Sequence, residues 1–348
     1  MTASEKSFVG IAKQSTKGVP IIDSAAFSYF LFQDGTFGPS NVYLPTEDEI
    51  GGGALQNDVD NVGVISGGQM TFIPRPEMLG HLLLGALGTE VGEPELVGTK
   101  AYKHTFAMGP DQFEAPYFTF RASPGGMWGE QFADCRLAAL SLNWRAADRL
   151  RGEMAIQGGE PVPDISMADW DAMTKVDRGP TFLAPKFTVT FPGESEIKVL
   201  SGAIAMGMSI PLEEQWITGS YYPDAQDITR RIITVTLGIK VINGTLYKKA
   251  QYDADGGSSW VANVLKDGGF ALEFQTSQPI EETTCHSLKL VANGQSGNAG
   301  NVAWTCTPVR LSAGRQVTMT IAGVFLADPT GENEPVTAEL VNTRQTKY

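Results

Sequence analysis

A strand pattern stated twice constrains this chain more than any other feature. Segments between Gly68 and Gly158 recur in the same order between Gly238 and Gly323, with most residues changed. The closest match sets Glu153-Met154-Ala155-Ile156-Gln157-Gly158 against Thr318-Met319-Thr320-Ile321-Ala322-Gly323, so that Met154 and Met319 stand 165 positions apart. Gln69-Met70-Thr71-Phe72 and Gly238-Ile239-Lys240-Val241 sit at nearly the same offset. Copies that share a strand pattern but no catalytic signature predict a building block, because a symmetric assembly can use each copy as one of its repeated positions.

A chain of 348 residues can form two cores of ordinary domain size. The expected organisation is a first domain over 1–160, a linker over 161–180, a second domain over 181–326 and a C-terminal arm over 327–348. The 39 glycines and 20 prolines imply many turns between short strands. No apolar run reaches the ~20 residues that cross a bilayer, and the first fifteen residues lack the pattern of a signal peptide. The expectation is a protein made and kept in a cytoplasm, without membrane insertion. Cys135, Cys285 and Cys306 have no CxxC spacing and cannot all pair in one chain, so reduced, structural thiols are expected. A net charge of −13 opposes tight binding of nucleic acid, yet it suits DNA moving past a surface to which it does not stick.

Alternation with period two marks the strands. Leu140, Leu142 and Trp144 alternate with Ala139, Ser141 and Asn143; Ile233, Val235, Leu237, Ile239 and Val241 form another such series, as do Val317, Met319 and Ile321. Helical pattern is scarce. Pro76 opens a stripe of Leu79, Leu82, Leu83 and Ala86 that Gly88 ends, and a shorter candidate runs from Trp260 to Leu265 behind Ser258 or Ser259. Met167–Met173 has room for one helical turn in the linker. The fold class is therefore mainly β: two tandem β-sandwich or half-barrel domains, each with one packed helix.

Three long stretches lack a core pattern of their own: Glu47–Asn61, Glu213–Asp227 and the tail Leu326–Tyr348. They read as excursions from the sheets. Candidate subunit contacts fall there: Asp48, Asp58 and Asp60 in the first, Trp216, Tyr221 and Tyr222 in the second, Glu332 and Tyr348 in the tail. For Trp216 and the tyrosine pair the residues leave open whether they are core or an inter-subunit anchor.

Catalytic and metal patterns fail at their decisive positions. His81 follows Glu77 by four residues and reads as a surface pair, His104 has no partner in view, and His286 points away from Cys285 if both lie on one strand. Asp253-Ala254-Asp255-Gly256-Gly257 resembles the start of a calcium loop, but Val264 occupies the position that needs a bidentate Glu. Gly51-Gly52-Gly53 lacks the Lys and Ser/Thr of a phosphate-binding loop. No enzyme activity, metal or cofactor is expected.

The opening Gly10-Ile11-Ala12-Lys13-Gln14-Ser15-Thr16-Lys17-Gly18-Val19-Pro20 resembles the entry segment of tail tube proteins from bacteriophages with long, non-contractile tails. Gly67-Gly68-Gln69-Met70-Thr71-Phe72, the leucine-rich helix ending at Gly88, Tyr102–Phe106 and the hairpin from Cys135 through Met154 follow in the family's order. Gln14 stands where Glu is usual, Asp134 where Gly is usual, and Tyr252–Gly257 is an inserted turn. The resemblance implies a virion structural protein whose stacked rings form a hollow tube for genome DNA ejection. It further implies that three tandem-domain chains make a ring, with inner sheets lining the lumen, and that the partners are further copies, tape measure and terminator proteins; the net charge of −13 makes an acidic or neutral lumen the expectation. Two rivals are weighed against it: a tail terminator or hub component, and a secreted β-sandwich that binds carbohydrate, which the missing signal peptide disfavours.

Overall fold

The computed structural model describes residues 7–45, 58–108, 114–125, 128–162, 179–191, 197–211, 214–224, 227–242, 247–248, 265–267, 270–292, 302–307, 309, 316–327 and 335–348. The fold is mainly β. The first half holds strands β1 (Phe8–Lys13), β2 (Ser28–Phe30), β3 (Phe32–Pro45) and β4 (Val59–Phe72), then helix α1 (Pro76–Leu87). It continues through β5 (Gly88–Glu90), β6 (Glu95–Leu96), β7 (Tyr102–Met108), β8 (Phe118–Ser123), β9 (Glu130–Arg145), β10 (Arg151–Gly158) and β11 (Pro161–Val162). The second half holds β12 (Phe182–Thr190), β13 (Lys198–Ser209), β14 (Arg230–Lys240), β15 (Leu265–Asp267), β16 (Ala271–Glu281) and β17 (Thr284–Ala292). It closes with β18 (Val302–Cys306), β19 (Thr318–Phe325) and β20 (Val336–Asn342).

Two antiparallel sheets enclose the core. The larger runs β15-β18-β19-β14-β13-β9-β10-β4-β3, with β1, β2, β8 and β11 curling off β9; the smaller runs β12-β16-β17-β20-β7-β5, with β6 beside β7. Each half therefore puts four strands into the large sheet in one order, β3-β4-β10-β9 and then β13-β14-β19-β18. Register repeats too, since Met154 lies opposite Met70 and Met319 opposite Ile239. The halves meet where β9 pairs with β13, Leu142 opposite Ile204 and Leu140 opposite Met206. The alternating apolar residues face inward except Val317, which is exposed, and one large hydrophobic cluster runs from Val9 to Tyr348 through both halves.

Helix α1 begins and ends where its sequence signals place it. Pro76 needs no amide partner in the first turn, and Gly88 closes the last turn at φ 106°, its N–H donating to Leu84 O. Every residue of α1 except Glu77 is buried, however, and His81 is 3% exposed rather than half of a surface pair. The cause is the tail. The expected C-terminal arm is corrected over 336–348: β20 pairs with β17 on one edge and β7 on the other, joining the second half's sheet to the first half's. Tyr348, expected at a subunit interface, lies buried over α1, its ring edge-on to His81 at 4.9 Å and its N–H donating to Glu90 Oε2 at 2.8 Å. Glu77 accepts instead from the backbone and hydroxyl of Thr343.

The second helix candidate lies outside the described residues except for Leu265, which opens strand β15. The linker turn Met167–Met173, the glycine run Gly51–Gly53 and the loop Asp253–Gly257 also lie outside them.

Candidate assembly interface

The outward face of the large sheet is wet and nearly uncharged at its centre. Reading across the register, Thr36, Gln69, Ala155, Ala139 and Gly207 form one row. Thr71, Glu153, Ser141, Ala205 and Thr234 form the next. The rows are mostly small or hydroxylated, with Glu153 their one charge, and they end on the exposed Ile232 beside Gly207 and Val324 beside Thr234. The chain's acidic balance is therefore not carried by the centre of this face; Arg145, Arg151, Lys198 and Lys240 lie at one end, and Arg230 at the other.

At the opposite end β3 and β4 continue past the body of the sheet as a two-stranded hairpin, from Ser40 opposite Ile65 to Pro45 opposite Val59. Tyr43 and Leu44 are 58% and 54% exposed on it. Asp58 and Asp60 are exposed near its tip, and Asp48 lies outside the described residues, as does Glu332. The second predicted stretch packs on the hairpin base: Val64 N–H donates to Tyr221 O at 2.8 Å, and the Trp216 ring sits so close over Gly63 that a side chain there would strike it. Trp216 is half-buried on its own chain. Tyr221 is exposed, and Tyr222 is half-buried in a turn where its N–H donates to Ser220 Oγ. The signal that could have placed Trp216 is the glycine itself, since a flat ring needs a partner without a side chain.

Among the described residues β3 pairs only with β4, so its other edge has no strand beside it. Pro39 and Pro45 lie on it, as suits an edge strand. A groove of about 470 Å³ runs along this edge, lined by Phe8, Val9, Phe32, Phe37, Met70 and Ala122 among others.

Two of the chain's three departures from its family resemblance meet in space. Gln14 Nε2 donates to Asp134 Oδ1 at 2.9 Å, and Asp134 N–H donates to Gln14 Oε1 at 2.8 Å. Asp134 has φ 53°, a left-handed conformation that favours glycine. A glutamate at position 14 would face the Asp134 carboxylate, so the two replacements suit one another.

The histidines are structural partners. His104 lies between Glu90, at 2.7 Å from Nδ1, and the Arg344 carbonyl, at 3.0 Å from Nε2. His81 bonds Ser28 Oγ at 2.8 Å, and burial, with the Arg344 and Lys13 cations, lowers its pKa to about 3. Burial likewise pushes the Cys135 thiol up, away from a reactive thiolate. Among the described residues no group of His, Cys, Asp and Glu could hold a metal ion.

A family model described as phage tail tube protein matches residues 4–284. The chain belongs to the phage tail tube protein family. The match takes in the whole first half and the second through the β16–β17 turn. Membership makes the chain a structural component of the virion tail, in a family that is not one of enzymes. No curated protein matches it. No helix among the described residues is long and apolar enough to cross a membrane.

Proposed function

We propose that this tail tube protein polymerises as stacked rings into the hollow tube of a long, non-contractile tail, through which genome DNA passes into the host, with three chains to a ring. The observation that carries the reading is the strand order of the large sheet. The chain is read as a tandem duplication in which the β9 edge of one unit receives the β13 edge of the next. A related contact between chains, from the β18 edge that carries β15 onto the free edge of β3 and its groove, closes six units into a ring. Closure also covers edges that would otherwise invite aggregation.

In this reading the outward face of the large sheet lines the lumen, where its centre, whose one charge is Glu153, offers passing DNA no cations to hold its phosphates. Asp58, Asp60, Trp216, Tyr221 and Tyr222 lie at or near the hairpin and contact neighbouring copies; Asp48 and Glu332 join them on sequence grounds alone. Tape measure and terminator proteins are the further partners. Cryo-electron microscopy of the purified protein tests this. Tubes of three-chain rings with six similar units are expected; six chains in each ring would overturn the tandem reading, and a protein that forms no rings or tubes would overturn the assembly.

A further inference from the structure

We infer that rings of this chain stack with a single polarity because the two ends of the large sheet carry opposite charge, the acidic hairpin end of one copy docking on the cationic turn end of a second copy. The inference rests on the tube reading above and adds what holds ring to ring.

Register places the charges. Arg151 lies level with Asn143, Ala203 and Thr236; two rows further out Arg145 lies level with Ser201, and beyond it Lys198 lies opposite Lys240. Arg149 is exposed in the turn between β9 and β10. Among the described residues Asp148 stands against these five cations and pairs with Arg151 at 3.3 Å, with Asp34 and Glu153 lying further in; Glu194 and Glu196, close to Lys198 in sequence, lie outside the described residues. Exposed apolar groups accompany them, since Ile242 and Val317 lie beside Lys240 where Val241 N–H donates to Val317 O.

The hairpin end is the reverse. Asp58 and Asp60 are exposed on the hairpin, and Glu214, Asp224 and Asp227 are exposed in the stretch that packs at its base. Among the described residues its cations are Lys17, which pairs with Asp224 at 3.6 Å, Arg230 beside Ser209, and Arg231, whose guanidinium is turned onto the carbonyls of Leu87 and Glu114. Tyr43 and Leu44 supply an apolar centre. Asp60 and Phe72, the residue level with the β9–β10 turn, lie twelve positions apart on β4. That is roughly 40 Å at ~3.3 Å per residue. Salt screens exposed charges over ~8 Å at physiological ionic strength. The two ends therefore cannot neutralise one another within a copy, and each is satisfied only by a second copy presented end to end. Head-to-head stacking would bring like charges together, which selects the polar arrangement.

Two full-length variants test the inference. Asp58→Lys with Asp60→Lys makes both ends basic, and Arg149→Glu with Arg151→Glu makes both ends acidic. Each alone, with an unchanged melting temperature, is expected to form at least about tenfold fewer tubes by negative-stain microscopy at physiological salt while still forming single rings; mixing the two purified variants is expected to restore tubes. Tubes of normal length from either variant alone, or no recovery on mixing, would overturn the inference. If either variant fails to fold, the wild type decides, because tube length that does not fall between about 0.05 and 0.5 M salt rules out charge as the link. A wild type that forms no rings at all would instead sink the tube reading.

Discussion

The β3–β4 hairpin and the C-terminal segment both fall where the sequence reads as an excursion from the sheets, and they end in opposite environments. Beyond Val42 the hairpin strands, among the described residues, pair only with each other; Tyr43, Leu44 and Val59 stay exposed. In the tail, β20 has a strand on each edge, Val336, Ala338 and Leu340 face the core, and Tyr348 seals α1. Neighbours decide the difference. A strand paired on both edges and apolar on one face is core, whereas a hairpin that outruns its sheet must wait for another molecule to cover it.

The comparison breaks most visibly in the tail. Replacing Tyr348 by Ala empties a buried site between α1, β7 and β20, and an expected cost of about 3–5 kcal/mol follows from the lost packing and the cavity. Removing 336–348 is expected to cost more, leaving no soluble folded monomer, since it uncovers α1 and both flanking strands. Thermal unfolding and soluble yield measure both. A truncated chain that melts like the wild type would show the tail to be an appendage after all.

Acid should find the same place. His81 under Tyr348 is neutral in the fold, with its pKa lowered by burial to about 3 from the ordinary imidazole value of about 6.5. The unfolded chain therefore binds more protons below that ordinary value, so the stability contributed by neutral His81 is fully present above about pH 6.5 and is lost as pH falls toward 3. At pH 5 the expected loss is about 2 kcal/mol relative to pH 8. Denaturant titrations at both pH values check it against His81→Gln, which keeps a polar partner for Ser28 but does not titrate. Equal pH dependence in the two proteins would remove His81 as the cause.

Much of this fold was legible as sequence. Alternation at Leu140, Leu142 and Trp144 placed β9, and Pro76 with Gly88 bounded α1, because period and backbone freedom are local properties. What was missed is non-local. Val336, Ala338 and Leu340 also alternate, but β20 is seven residues long, and its reason to be buried lies on β7 and β17. His81 reads as a surface residue because Glu77 shares its helical face; only the tail reveals a third layer over that face. At the candidate interface, Asp58 and Asp60 were read as exposed contact residues and are exposed, whereas Trp216 rests on Gly63, far away in sequence. Gln14 and Asp134 carried a signal that single positions hide, since two departures from one family pattern can be one hydrogen-bonded pair.

The smallest expected effect on the monomer is at the hairpin, and there the contrast with the tail becomes quantitative. Leu44 is 54% exposed, and β4 alone lies beside its strand. Leu44→Ser should therefore shift monomer stability by no more than about 0.5 kcal/mol, the range of surface changes that break no cap, core or buried bond. Covering that leucine with a second copy would change the sum, since burying the exposed part of such a side chain contributes about 1 kcal/mol for every 40 Å² of apolar surface removed from water. Repeated at each contact of a ring, a loss of that size is expected to shorten tubes or raise the protein concentration at which they form, while melting of the monomer is unchanged. Sedimentation of the assembled fraction beside a melting curve of the monomer measures the two together. A Leu44→Ser protein that melts several degrees lower would place the hairpin in the chain's own core, and the distinction between sealed tail and waiting hairpin would fall.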